Sequence, residues 1–257
     1  MPADRSGAVA LVTGAASGIG AATARLIAPN CRHLVLHGRA TKPESKARLE
    51  GTAAECAALG PEVTTLTGDL AETGVAKGLM EQTIARCGGL DHLVSNAGFA
   101  DKRSVAELGR KDVDRSYAAM TGAFFEMAQA AMPALKASAQ GRIVLVSSFV
   151  AHRFARGGLF PASAAAKAGA EALARSLAAE LAPSGVTVNA VVPGYTRKDS
   201  GTTALSADAW AKAAEITPLG RIGDPADVAA LIAFLLSPAA RHITGQTIAV
   251  DGGLSLG

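Results

Sequence analysis

A glycine-rich turn at residues 13–20, with the sequence TGAASGIG, constrains the fold of this chain more than any other stretch. The apolar residues 8–12 before it are typical of a buried strand, and residues 21–27 behind it have the spacing of an amphipathic helix. Gly14 suits a sharp turn, Gly18 a close approach of the backbone to a ligand, and Gly20 tight packing of helix on strand. Glycines also occur in plain turns, but this strand and helix context predicts a cradle for a dinucleotide phosphate.

Strand-like and helix-like segments alternate along the 257 residues, which is the pattern of a parallel sheet covered on both faces. We therefore predict one α/β domain over residues 1–257, a Rossmann-like fold with a doubly wound parallel sheet. The polar, weakly patterned stretch 195–217 is predicted to be a substrate flap. Further strands are predicted at 33–37, 63–67, 91–95, 142–146, 186–192 and 246–250, and helices at 43–59, 72–86, 105–135, 162–181 and 225–236.

The composition favours a soluble, cytoplasmic protein that acts on a small molecule. Hydrophobic residues make up 49% of the chain, and the net charge of +3 is scattered, so no nucleic-acid partner is expected. The longest apolar run, residues 228–236, is too short to span a bilayer, and residues 1–7 lack the apolar core of a signal peptide. Three cysteines without metal-ligand spacing predict buried thiols and no metal site.

The end of the second predicted strand bears on which cofactor is bound. An acidic residue there would hold the ribose 2′-hydroxyl of NAD, but the sequence has Gly38-Arg39, with Lys42 nearby. A guanidinium group can pair with a 2′-phosphate, so Arg39 favours NADP over NAD; the alternative is a solvated surface arginine.

Asn96-Ala97-Gly98, at the end of the fourth predicted strand, is either a plain turn or part of a ligand site. Together with residues 13–20, Asp69, Pro193-Gly194 and the C-terminal segments 218–225, 243–246 and 250–253, it resembles the short-chain dehydrogenase/reductase family over residues 8–253. The resemblance implies a nicotinamide cofactor and a homotetramer or homodimer. The cofactor-binding residues that it implies are Gly14, Ser17, Gly18, Ile19, Gly20, Arg39, Asp69, Leu70, Asn96, Ala97, Gly98, Lys167, Pro193, Gly194 and Thr196.

The same resemblance implies Ser148, Ser163 and Lys167 as the catalytic residues, with two departures from the family pattern. Family members use a Ser that binds the carbonyl, a Tyr acid/base four residues before a Lys, and an Asn that anchors a relay water. Here Ser148 and Lys167 match, whereas Ser163 stands at the Tyr position and Ala119 at the Asn position.

Serine is a far poorer acid than tyrosine, and loss of a positioned general acid typically costs on the order of 10²–10⁴-fold in rate. A water, His152, Tyr195 or Tyr117 are candidate substitutes, although a packing or surface role fits each of these side chains better. Two hypotheses follow. The chain is an NADP-dependent oxidoreductase, moving a hydride between nicotinamide and a carbonyl or alcohol, with an atypical proton donor. Alternatively, it is a catalytically impaired NADP(H)-binding protein that acts as a sensor or oligomer partner.

Overall fold

The structure is a computed structural model that describes residues 7–154, 159–197 and 206–256. Seven strands form one parallel sheet in the order β3-β2-β1-β4-β5-β6-β7. The strands are β1 Ala8–Thr13, β2 Cys31–Gly38, β3 Glu62–Thr67, β4 His92–Ser95, β5 Arg142–Val146, β6 Thr187–Pro193 and β7 Thr247–Val250. The predicted doubly wound sheet is therefore confirmed. The strand order reverses between β1 and β4, which is where such sheets bind ligands.

Helices connect the strands and cover both faces of the sheet. They are α1 Gly18–Ile27, α2 Pro43–Ala57, α3 Val75–Cys87, α4 Arg110–Tyr117, α5 Ala123–Ala137, α6 Pro161–Leu181, α7 Ala207–Glu215 and α8 Pro225–Leu236. Alternate side chains of β1 point to opposite faces, so Val9 and Leu11 join one core cluster and Ala10 and Val12 join the other. Burial on both faces fixes the strands, and with them the loops at their carboxyl ends.

The helical region predicted over 105–135 is confirmed, but it is divided into several elements. A capping box between Ser104 and Glu107 closes a short 3₁₀ turn, and a second N-terminal cap, between Gly109 and Asp112, starts α4 afresh. A π-helical turn, Ala118–Gly122, then separates α4 from α5, and Ala119 lies inside it. π turns inside helices are frequent at functional sites.

The predicted flap over 195–217 contains a regular element. Helix α7 begins after Ser206, whose Oγ accepts the Ala209 N–H at 3.3 Å, so the C-terminal part of this stretch is helical. Residues 198–205 of the predicted flap lie outside the described residues.

The cysteines are buried free thiols, as predicted, and burial raises the pKa of Cys31 to about 12. In the described part of the chain, no group of three or more metal-ligating side chains is assembled. None of the helices in the described ranges is long and apolar enough to cross a bilayer.

Candidate active site

The glycine turn between β1 and α1 has the geometry of a phosphate cradle. Gly14 and Gly18 have φ angles of 68° and 54°, a left-handed conformation that favours glycine. A Cβ on Gly20 would lie 2.3 Å from the Gly14 carbonyl oxygen, whereas a Cβ on Gly18 would meet no atom within 4 Å. The turn is thus tight on the protein side and open at Gly18. With Ser17 as the N-cap residue of α1, the open side faces a helix N-terminus, which fits a diphosphate.

Hydrogen bonds from Asn96 lock this turn to the end of β4. The side-chain amide of Asn96 donates to the carbonyl oxygens of Thr13 at 2.9 Å and Gly14 at 3.3 Å. The Thr13 hydroxyl accepts the backbone N–H groups of Asn96 and Ala97 at 2.9 and 3.0 Å. Asn96, predicted as a cofactor-binding residue, therefore holds the cradle in shape through contacts within the protein.

The adenosine end of the predicted site lies at the ends of β2 and β3. Arg39 Nη1 is 3.9 Å from Asp69 Oδ2, so the structure brings these two predicted residues together. Arg115, in the last turn of α4, places Nη2 2.9 Å from the same oxygen. Sequence reasoning missed Arg115, because nothing in the spacing connects it with a residue 46 positions away. Leu70, also predicted to bind the cofactor, is buried in the core.

The pKa of Asp69 shows how strongly its surroundings favour the carboxylate. Partial burial raises this pKa, but the Ala71 N–H and the guanidinium groups of Arg115 and Arg39 outweigh burial and hold it below its usual value. Asp69 is therefore ionised at neutral pH, with Oδ1 accepting the Ala71 N–H at 3.0 Å and Oδ2 facing the arginines.

Lys167 is buried at the centre of the site. Its Nζ donates to the Val146 carbonyl at the end of β5, at 2.6 Å, and lies 3.1 Å from where a Cβ on Gly98 would stand. Burial lowers the pKa of Lys167 to about 8, and the negative charge of Glu171 opposes that shift. A side chain at position 98 would therefore press on the ammonium group and displace it slightly.

Ser163 lies one helical turn before Lys167 on α6, and only 1% of it is exposed. Its Oγ accepts the backbone N–H of Asp101 at 2.9 Å, which ties α6 to the loop after β4. The hydroxyl retains its own hydrogen to donate. Sequence reasoning missed Asp101, whose carboxylate also binds the Arg103 guanidinium at 2.8 Å.

Ser148 follows β5 and caps a short 3₁₀ turn, Phe149–Ala151, where its Oγ accepts the Val150 N–H at 3.4 Å. The candidate substitutes for the family's tyrosine are Tyr195, His152 and Tyr117, and each lies against a neighbouring residue. The Tyr195 ring packs on Phe149 with centroids 4.6 Å apart. His152 Nε2 lies 2.9 Å from Glu171 Oε1, and the Tyr117 ring lies 3.6 Å from where a Cβ on Gly169 would stand.

The end of β6 brings the predicted residues Pro193 and Gly194 against β7, and Thr196 pairs with Gly223. A Cβ on Gly194 would lie 2.8 Å from the Asp251 Cα, so only glycine fits there. The Thr196 hydroxyl donates to the Gly194 carbonyl at 3.1 Å and so closes the turn after the strand.

Known proteins are similar to this chain over nearly its whole length. Residues 14–255 match the family model described as Enoyl-(Acyl carrier protein) reductase. The cis-4-hydroxycyclohexanecarboxylate dehydrogenase of Sinomonas cyclohexanicum is 39% identical over 254 residues, covering 95% of each chain. The 3-oxoacyl-(acyl-carrier-protein) reductase FabG of Staphylococcus aureus is 34% identical over 246 residues, covering 95% of this chain and 97% of that protein.

A solved short chain dehydrogenase from Burkholderia cenocepacia, in complex with NADP, superposes with a TM-score of 0.88 at 33% identity, covering 97% of this chain and 98% of that one. The parallel sheet with a glycine cradle at its switch point defines a Rossmann-like fold of the nucleotide-binding class. The matches identify it more closely: the chain belongs to the short-chain dehydrogenase/reductase family.

Proposed function

We propose that this chain is an NADP-dependent oxidoreductase that transfers a hydride between nicotinamide and a carbonyl or alcohol of a small molecule, with an atypical proton donor. The observation that carries the proposal is the assembled nucleotide side. The cradle is open at Gly18, Asn96 braces it, and Arg39 stands where an acidic residue would select NAD. The NADP in the Burkholderia cenocepacia structure supports the same choice of cofactor.

The residues of this chain divide the work as follows. The glycine turn and the N-terminus of α1 would bind the diphosphate, Arg39 the 2′-phosphate, and Lys167 the ribose beside the nicotinamide. When bound, NADPH supplies the hydride. The Ser148 hydroxyl would hold the substrate oxygen. Ser163, oriented by the Asp101 N–H, would donate its own hydrogen toward that oxygen, directly or through a water.

The substrate class follows from the relatives. The two named enzymes reported above act on a ring alcohol and on a 3-oxoacyl chain, so both work at a secondary alcohol or ketone carbon. We propose the same functional group for this chain.

Calorimetric titration with NADPH and NADH tests the proposal. We expect NADPH to bind more tightly, and Arg39→Asp to reverse the preference because a carboxylate repels the 2′-phosphate and accepts the ribose hydroxyl. Arg48→Asp, an exposed change on α2, is the control for added negative charge and should keep the parent preference. Equal affinities of the parent for the two cofactors would contradict the proposal.

A second candidate function is a catalytically impaired NADP(H)-binding protein that acts as a sensor or oligomer partner. The observation in its favour is that two of the four catalytic positions differ, with Ser163 hydrogen-bonded to Asp101 and Ala119 offering no polar group. A turnover screen over carbonyls, alcohols and imines separates the two. Turnover with any of them favours the enzyme, and tight NADPH binding without turnover favours the sensor.

We also propose a homotetramer or homodimer, located in the cytoplasm. Ala165, Ala172 and Ala179 lie exposed along α6, where small side chains permit close approach of a second copy of the helix. Sedimentation should give a mass above that of the monomer at micromolar concentration, and a monomer mass would refute the assembly.

A further inference from the structure

The carboxylate of Asp69 faces two guanidinium groups at unequal distances. Arg115 Nη2 lies at hydrogen-bond distance, 2.9 Å, from Oδ2, whereas Arg39 Nη1 lies 3.9 Å from the same atom. Oδ1 is taken by the Ala71 N–H. Both oxygens of Asp69 are therefore satisfied without Arg39.

The register of the sheet puts this carboxylate beside the 2′-phosphate site. Gly38 at the end of β2 pairs with Thr67 at the end of β3, so Arg39 and Asp69 leave neighbouring strands on the same edge. A phosphate monoester carries roughly −1.5 to −2 charges at neutral pH, so an uncompensated carboxylate at this edge would repel it. The same carboxylate would also compete with the phosphate for the Arg39 guanidinium group.

We infer that Arg115 determines the preference for a 2′-phosphorylated cofactor by neutralising Asp69, without contacting the phosphate itself. Arg115 lies at the C-terminal end of α4 and is held against Asp69, which leaves Arg39, 56% exposed, to turn toward the phosphate. Arg115 is thus a positioning residue for cofactor selection. The inference rests on the proposed NADP dependence. It goes beyond that proposal, which assigns the 2′-phosphate to Arg39 and gives no role to Arg115.

The test is calorimetry with NADP⁺ and NAD⁺, which differ only in the 2′-phosphate. Arg115→Ala should lower the ratio of NADP⁺ to NAD⁺ affinity by about tenfold, since Asp69 then repels the phosphate and captures Arg39. The matched control is Arg110→Ala on the same helix, which breaks only the exposed ion pair with Asp114 and should leave the ratio unchanged.

A double-mutant cycle isolates the route of the effect. In an Asp69→Asn background, Arg115→Ala should lose most of its effect on the affinity ratio, because no carboxylate remains to capture Arg39. A loss of the full size in that background would mean that Arg115 acts directly on the phosphate and would overturn the inference. Equal loss of both cofactors in Arg115→Ala would also overturn it, since that result marks a purely structural role.

The parent protein tests the proposed cofactor, and the Arg115→Ala variant tests the role of Arg115. A parent without preference for NADP⁺ would refute the proposed cofactor. A parent that prefers NADP⁺, with Arg115→Ala showing the same ratio, would refute only the role of Arg115.

Discussion

The active site has a nucleotide side and a proposed proton-donor side. The two differ in how many of the expected functional residues are present. On the nucleotide side, a Cβ on Gly20 would collide with the Gly14 carbonyl, Asn96 braces the turn, and Arg39 stands beside Asp69. On the proposed proton-donor side, Lys167 is buried, but Ser163 and Ala119 stand where we expect the family's acid and relay anchor.

The two sides are built from different structural elements. The cradle is built from β1, α1 and the end of β4, and its contacts are made by backbone groups, the Asn96 amide and the Thr13 hydroxyl. The proton-donor side is built from α6 and the π-helical turn, where single side chains carry the chemistry. Ser163 and Ala119 make no hydrogen bond to the glycine turn, so we expect substitutions at these two positions to leave the cradle itself in place.

The largest effect is expected for Gly20→Ala. The added Cβ would lie 2.3 Å from the Gly14 carbonyl oxygen, so the backbone of the cradle must shift. A shift of the backbone removes hydrogen bonds to a charged diphosphate, each of which contributes about 1.5–3 kcal/mol, so we expect a loss on the order of 100-fold in NADPH affinity by calorimetry.

Gly78→Ala on α3 is the matched control, because its Cβ would meet no atom within 4 Å. It should keep the parent affinity and slightly raise Tm, since alanine is the better helix former. Unchanged NADPH affinity in Gly20→Ala would show that the cradle is not the phosphate site.

Ser163→Tyr should have the next largest effect, in the opposite direction. Restoring a phenol next to Lys167 should raise kcat for an activated ketone by about 10²-fold, and adding Ala119→Asn should raise it further. The ring takes the place of the hydroxyl that accepts the Asp101 N–H, so the loop after β4 must shift to admit it.

Ser176→Tyr, exposed on the same helix, is the control for an added phenol and should not change kcat. If the native substrate uses the space the ring fills, Ser163→Tyr will instead abolish the native reaction while improving generic ketones. Absence of gain with every carbonyl, in a variant that still binds NADPH, would contradict the enzyme hypothesis and favour the sensor.

The burial of Lys167 should make the free energy of unfolding rise with pH in alkaline solution. Its pKa is lowered by burial from 10.5 to about 8, so above pH 8 the folded state loses a proton that the unfolded state keeps until pH 10.5. Because the unfolded state then binds more protons, the free energy of unfolding increases across this window, by on the order of 1–3 kcal/mol.

The measurement is urea unfolding of the parent and Lys167→Met at pH 7 and pH 10. The free energy of unfolding of the parent minus that of Lys167→Met should be larger at pH 10 than at pH 7, because only the parent carries the titrating ammonium group. Parallel pH profiles for the two proteins would mean that the Lys167 ammonium is not desolvated.

The smallest effect is expected for His152→Ala. Nε2 of His152 lies 2.9 Å from Glu171 Oε1, and we expect the imidazole to hold this carboxylate and not to protonate the substrate, so kcat should change by less than about threefold. The pH–rate profile should keep its shape. A loss of tenfold or more with NADPH binding unchanged would instead assign the missing acid to His152.

The sequence predicts the elements well and the long-range contacts hardly at all. β5 and α8 have the predicted bounds because apolar periodicity and a Pro at the helix start are local signals. The break at Ala118–Gly122 was missed because π turns leave no mark in residue spacing. The contact of Ser163 with Asp101 was missed because the two residues are 62 positions apart in the sequence. The contact of Asp69 with Arg115, 46 positions apart, was missed for the same reason: the course of the chain between distant elements decides such contacts.

The independence of the two sides is tested most directly by titrating NADPH into the parent and into Ser163→Tyr/Ala119→Asn, with kcat measured on the same samples. The binding curves should superpose, while kcat for an activated ketone rises by about 10²-fold or more. A changed NADPH affinity in the double variant, or equal kcat with equal affinity, would contradict the separation of a complete nucleotide side from an altered proton donor.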